Sequence, residues 1–157
     1  MDPVGRLAAR YLRAALQPDD GVIYVGWFLP KMAGKKLLAY FPPVHPTVWV
    51  HHLTLWHFHD SRERPDLPWG KTVTMKVVGH AQDDRAQAVV VEVPTKFRVT
   101  PGRVPHVTIS TASGVTPSAS NDLLRGRVEA VRGVGIKAQV GWVDQSDRVH
   151  LEPPDGR

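Results

Sequence analysis

The sequence predicts an α+β domain built mainly of antiparallel strands, arranged as two similar halves. Three features predict it. Runs rich in β-branched and aromatic residues recur along the chain, separated by Gly and Pro punctuation. One segment near the start carries helical periodicity instead. A His-x-Thr followed by an apolar residue occurs twice, in His51-His52-Leu53-Thr54-Leu55-Trp56 and in Pro105-His106-Val107-Thr108-Ile109. A chain of 157 residues is read as one domain over 1–157, with 42% hydrophobic and 22% charged residues, which are globular values.

Residues 3–16 place Val4, Leu7, Ala8, Tyr11, Leu12, Ala15 and Leu16 at helical spacing, with Arg6, Arg10 and Arg13 opposite. Asp2 before Pro3 is a suitable N-cap. Residues 21–29 read as a strand, and Gly26 within it marks a bulge or a close backbone approach. A short helix is expected over 31–41, stopped by Pro42, Pro43 and Pro46. Residues 47–58 form the first motif strand, and 60–70 form a polar loop. Strands over 72–79 and 86–93 join across Gln82-Asp83-Asp84-Arg85 as a hairpin. An extended or looped piece over 96–104 leads to the second motif strand, 106–111. Ser120 is placed as the cap of a short helix through Leu124. Strands over 126–131, 136–143 and 148–151 close the fold, and 153–157 reads as a loose tail.

The absence of cysteine removes disulfides and thiolate metal sites, and no apolar run approaches the ~20 residues of a membrane-spanning helix. The first residues lack the pattern of a signal peptide, so a cytoplasmic protein is expected. A net charge of +5 fits a phosphate-rich partner, although the basic residues are spread along the chain.

Strand alternation gives the two motifs a chemistry. Side chains two apart share a face, so His52 and Thr54 point one way while Leu53 and Leu55 bury. His106 and Thr108 behave likewise over Val107 and Ile109. Two such strands side by side aim two imidazoles and two hydroxyls at one point. An imidazole with a pKa of about 6.5 serves as base or acid near neutral pH. Threonine hydroxyls donate to phosphate oxygens as charge builds on them. His51 and His57 share the parity of Leu53 and face away; for His45, His59, His80 and His150 structural roles are expected. The cluster His51, His52, His57 and His59 is split by alternation and lacks a completing carboxylate pattern, so neither a metal nor another cofactor is expected.

These residues resemble the 2H phosphoesterases, whose signature is a pair of His-x-Thr strands. The likeness is greatest to the catalytic domain of the 2′,3′-cyclic nucleotide 3′-phosphodiesterases and the cyclic phosphodiesterase domain of fungal tRNA ligases. It rests on Tyr24-Val25-Gly26-Trp27-Phe28-Leu29, on His52-Leu53-Thr54, and on His106 to Ile109 continuing through Gly114-Val115-Thr116-Pro117 to Asp122-Leu123-Leu124. The segment between Gly26 and His52 is shorter than in the animal enzymes, and a kinase domain, a ligase domain and a prenylation signal are not recognised. A stand-alone minimal catalytic domain is therefore expected.

The resemblance implies two antiparallel β-lobes with peripheral helices around a central cleft. It also implies metal-independent hydrolysis of a 2′,3′-cyclic phosphate, on a nucleotide or an RNA 3′ end, to a 2′-phosphate. His106 would activate water and His52 would protonate O3′, although a symmetric pair permits the reverse; Thr54 and Thr108 would bind the phosphate. Tyr24, Trp56, Phe58, Arg103 and Pro117 are candidate substrate contacts, with Trp56 and Phe58 placed on the His52 face by parity. The partner expected is the cyclic nucleotide or RNA end, with no membrane, and the protein is expected to be a monomer. The rival readings are an RNA 2′-5′ ligase-like enzyme leaving the other phosphate isomer, and a non-catalytic nucleotide- or RNA-binding module.

Overall fold

A computed structural model describes residues 22–57, 68–93, 104–144, 146 and 148–152, with main chain only for 22–24 and 54–57. Its strands are β1 (Val22–Phe28), β2 (Thr47–Val48), β3 (His52–His57), β4 (Thr72–Gln82), β5 (Ala86–Glu92), β6 (His106–Thr111), β7 (Glu129–Asp144) and β8 (Val149–His150). The helices are α1 (Lys31–Tyr40) and α2 (Ala119–Leu123). The fold is mixed α+β: a curled half-barrel sheet in the order β2-β6-β5-β4-β7-β1-β3, with β8 paired to β7 and every pairing antiparallel. The N-terminal helix expected over 3–16 lies outside the described residues. Among those residues no helix is long and apolar enough to cross a membrane.

One face of this sheet is apolar from end to end. Val25, Trp27, Leu53, Met75, Val77, Val89, Val107, Ile109, Ile136 and Val140 form one cluster, which Ala33 and Leu37 of α1 join. Ala33 and Leu37 are four apart, so one stripe of α1 packs on the core while Lys31, Met32, Lys35 and Lys36 stay exposed. The helix ends at Tyr40 because Pro42 and Pro43 cannot extend it. Trp27, Leu37, Leu53 and Met75 are fully buried, each worth about 1.5–3 kcal/mol of transfer free energy. A smaller cluster on the other face joins Ala81, Ala86 and Ala88 to Ala119, Leu123 and Leu124 around α2.

The structure departs from the expected elements in three places. The first motif strand is two pieces, β2 and β3, because Val50 sits at φ 42° and turns the chain. The strands expected over 126–131 and 136–143 are one 16-residue strand, β7, with Gly133 at φ 77° inside it. That strand pairs with both β4 and β1, so the described strands follow one hydrogen-bonded path instead of two separate sheets. Gly26 does mark an irregularity: the β1–β3 register shifts between Val25 and Gly26.

Candidate active site

The two motif strands are brought together by the segment linking β2 to β3. Thr47 pairs with Thr111 and Val48 with Ser110. The contact continues as the N–H groups of Trp49 and Val50 donate to the carbonyls of Ile109 (2.9 Å) and Thr108 (3.1 Å). At Val50 the chain leaves β6, and the next carbonyl, that of His51, accepts from Leu29 N–H at 2.9 Å as β3 joins β1. A β-branched residue at positive φ is costly, of order 1–3 kcal/mol; here it makes the fork between β3 and β6. The β2–β6 pairing itself ends at Val48 and Ser110, and His52 pairs with Phe28 of β1 beyond the fork. Cα atoms of β3 and β6 still approach within 8 Å beyond it.

His52 opens β3, half-buried, on the face opposite the fully buried Leu53. Its ring lies 5.6 Å from that of Phe28, tilted by 33°. His106 opens β6, also half-buried, opposite Val107. Its Nδ1 is 2.7 Å from the Val104 carbonyl oxygen. A carbonyl can only accept, so Nδ1 carries a proton and donates it. Thr108 is 8% exposed, and its hydroxyl shares a 2.9 Å hydrogen bond with that of Ser120 in α2.

Ser120 does not cap its helix: it lies within α2, fully buried, and Ser118 holds the N-cap position without a side-chain bond. Half-buried Pro117 accepts the Ser120 N–H at 3.0 Å and so starts the turn that places this hydroxyl.

Thr54 pairs with Gly26, Tyr24 with His57 and Val143, and Trp56 with Val25, but the side chains of all three lie outside the described residues. The register shift makes Leu55 an extra residue in β3, so the alternation that put Trp56 on the His52 face does not run unbroken past Thr54. Phe58 and Arg103 lie outside the described residues altogether.

Three of the other described histidines hold structure. His45 Nε2 reaches the Asp83 carbonyl at 2.8 Å. His150 stacks on Trp142, with ring centroids 4.1 Å apart, and bonds Asp144 at 2.7 Å. Burial pushes the Asp144 carboxyl up, but bonds from His150 and from the Arg148 and Ser146 N–H groups prevail and hold it below the usual range. His80 stacks on Phe41, 5.0 Å away, and accepts from Gln87. Among the described residues no three His, Cys, Asp or Glu side chains are grouped to hold a metal ion. His51 is exposed at the fork.

Sequence reasoning did not find the Val104 carbonyl, Ser120 or Phe28 as parts of this site. A backbone carbonyl carries no sequence signal. Ser120 was legible only as a helix-start residue, and Phe28 only as a strand aromatic. Compared with protein-family models and with curated proteins, the sequence matches none.

Proposed function

We propose that the chain is a cyclic phosphodiesterase of the 2H type, acting as a cytoplasmic monomer without a metal. It would hydrolyse 2′,3′-cyclic phosphates to 2′-phosphates. The observation that carries this reading is the fork at Val50, where the segment paired to β6 passes into β3, so that the strands opening with His106 and His52 approach within 8 Å. The Nδ1-protonated state of His106 supports its role as base, since it aims the lone pair of Nε2 away from the chain's own carbonyl.

In this mechanism His106 Nε2 takes a proton from water as the water oxygen bonds to phosphorus. The P–O3′ bond breaks, and protonated His52 gives its proton to O3′, leaving a 3′-hydroxyl and a 2′-phosphate. Thr108 donates to a non-bridging oxygen; with Ser120 as donor in their shared bond, Thr108 keeps its own proton for the phosphate. Thr54 would do the same from β3. The two halves of the sheet, β2-β6-β5-β4 and β7-β1-β3, each end near a motif strand and would stand as the two lobes of the cleft.

Incubation with 2′,3′-cyclic AMP in the presence of a chelator, with product isomers separated by chromatography, tests the proposal. A 2′-phosphate is the expected product. A 3′-phosphate would move the chain to the ligase-like branch, and no turnover would leave a binding module.

A further inference from the structure

The far side of Phe28 is set by the closing segment of the chain. In register Phe28 pairs with His52 of β3 on one side and with Gln139 of β7 on the other. Gly141 is the next residue of β7 on that face, since Val140 between them is buried in the apolar cluster. A Cβ on Gly141 would stand 3.3 Å from Cδ2 of Phe28, 3.0 Å from Cδ2 of Leu151 and 2.6 Å from the His150 carbonyl oxygen. The space left by the missing side chain is therefore where the Phe28 ring and Leu151 converge. Gly70 makes room on a second side: a Cβ there would stand 2.7 Å from the Leu151 carbonyl oxygen. The Gly70 N–H donates to the Val140 carbonyl at 2.9 Å, which holds that turn beside Gly141.

The segment that carries Leu151 is fastened on both sides of it. Before it, Val149 and His150 pair with Val143 and Trp142, the Asp144 N–H donates to the Arg148 carbonyl at 3.0 Å, and the His150 ring stacks on Trp142. After it, the Glu152 carbonyl accepts from the Trp142 indole N–H at 2.7 Å. What this arrangement bounds is an imidazole. The χ2 torsion of histidine is broad and roughly two-fold, so packing or hydrogen bonds must set the plane of the ring. His106 takes its orientation from the Val104 carbonyl. On His52 the tilted ring of Phe28, 5.6 Å away, bounds the imidazole on the β1 side. A proton donor has to meet its acceptor within hydrogen-bond reach, and a misplacement of about 1 Å can cost on the order of a hundredfold in rate.

We infer that Leu151 is a positioning residue for His52: it holds the Phe28 ring over Gly141, and that ring holds the imidazole toward the leaving oxygen. This rests on the hydrolase reading, which makes His52 the proton donor. The closing segment of the chain, far from both motifs in sequence, then serves the reaction through one aromatic ring without touching the substrate.

Leu151 is 36% exposed, so Leu151→Ala leaves the buried core intact. In that variant kcat for 2′,3′-cyclic AMP should fall about tenfold while KM stays within about twofold. Phe28→Leu should lower kcat at least as far, and Leu151→Met, which refills the space, should recover most of the loss. An unchanged kcat in Leu151→Ala, or a loss that appears in KM instead, overturns the inference. Proton NMR of the imidazole C–H groups reads the same arrangement without turnover. The His52 resonances, identified by their loss in His52→Ala, should move in Leu151→Ala while those of His106 stay, because the ring current of Phe28 falls off steeply with distance. Unmoved His52 resonances, or equal movement of both sets, also overturn the inference. Absence of turnover in the wild type defeats the hydrolase reading by itself, and the resonances then still decide whether Leu151 sets the His52 ring.

Discussion

At the scale of single residues, the proposed chemistry depends on which nitrogen of each imidazole faces the phosphate. For His106 the Val104 carbonyl, 2.7 Å from Nδ1, would hold the proton there and leave Nε2 for the phosphate of the proposed substrate. Replacing His52 or His106 with Ala should abolish turnover while leaving the circular dichroism spectrum intact. Near-normal rates in either variant would remove that residue from the mechanism. Thr108→Ala should cost about a hundredfold in kcat, the scale of losing one donor to a developing charge. Ser120→Ala removes only the bond that orients that donor, worth about 0.5–1.5 kcal/mol, so its loss should stay within about tenfold. Steady-state kinetics of the two variants side by side check the ordering; a larger loss for Ser120→Ala would reverse their roles. His106, Thr108 and the apolar Val107 between them were legible because strand parity is a local property. The Val104 carbonyl and Ser120 were not, because each enters through a fold in the chain that parity does not describe.

At the scale of elements, the segment feeding the first motif is clamped before it reaches the fork. Gln87 is 1% exposed, and its side chain accepts from Val44 N–H (3.0 Å) and the Ser110 hydroxyl (2.7 Å) while donating to the Pro42 carbonyl (3.1 Å) and His80 Nε2 (3.2 Å). The Val44 N–H and the Pro42 carbonyl fix which end of the amide is which, so His80 Nε2 must accept and the ring is neutral. Burial pushes the His80 pKa below its ordinary 6.5, with Glu129 opposite it on β7 pulling the other way. The unfolded chain then binds a proton near its ordinary pKa that the folded chain binds only at lower pH. The stabilisation is full above about pH 6.5 and is lost as pH falls toward the folded value. Urea unfolding across this range should show the wild type losing stability that His80→Gln, which keeps an acceptor and does not titrate, retains. Parallel pH profiles for the two proteins would count against His80 as the source. None of this clamp was visible in the sequence, since Gln87 sits in an ordinary strand pattern. The break at Val50 was equally hidden: Val48, Trp49 and Val50 all favour strands, and only pairing with β6 on one side and β1 on the other forces the turn.

At the scale of the whole molecule, the sheet ends are joined by the shortest available route. β3 and β2 lie at opposite ends of the hydrogen-bonded path, yet only Trp49, Val50 and His51 separate them in the chain. The mixed α+β class followed from the sequence, because hydrophobic alternation and turn residues are written locally; the two motif strands were expected side by side, whereas β3 pairs with β1 and only β2 pairs with β6. Continuity across the middle did not follow either: separate strands are expected over 126–131 and 136–143, whereas β7 runs through the gap between them, Gly133 and Gly135 included. That continuity has a thermodynamic consequence. The β4–β7 ladder unites the two halves, and the apolar cluster draws on β1, β3 and β7 from one half and on β4, β5 and β6 from the other. Neither half buries its apolar face without its neighbour, so unfolding should be a single cooperative step. Trp27 lies buried in β1 and Trp49 lies buried against β6, donating to the Thr111 hydroxyl at 2.9 Å, so intrinsic fluorescence reports on both halves. Urea transitions followed by fluorescence and by far-ultraviolet circular dichroism should therefore coincide, and a Trp49→Phe variant, which mutes one half, should keep that coincidence at a lower midpoint. Two separated transitions, with the earlier one missing from the Trp49→Phe fluorescence signal, would show that the halves fold independently and that the β4–β7 ladder is too weak to couple them.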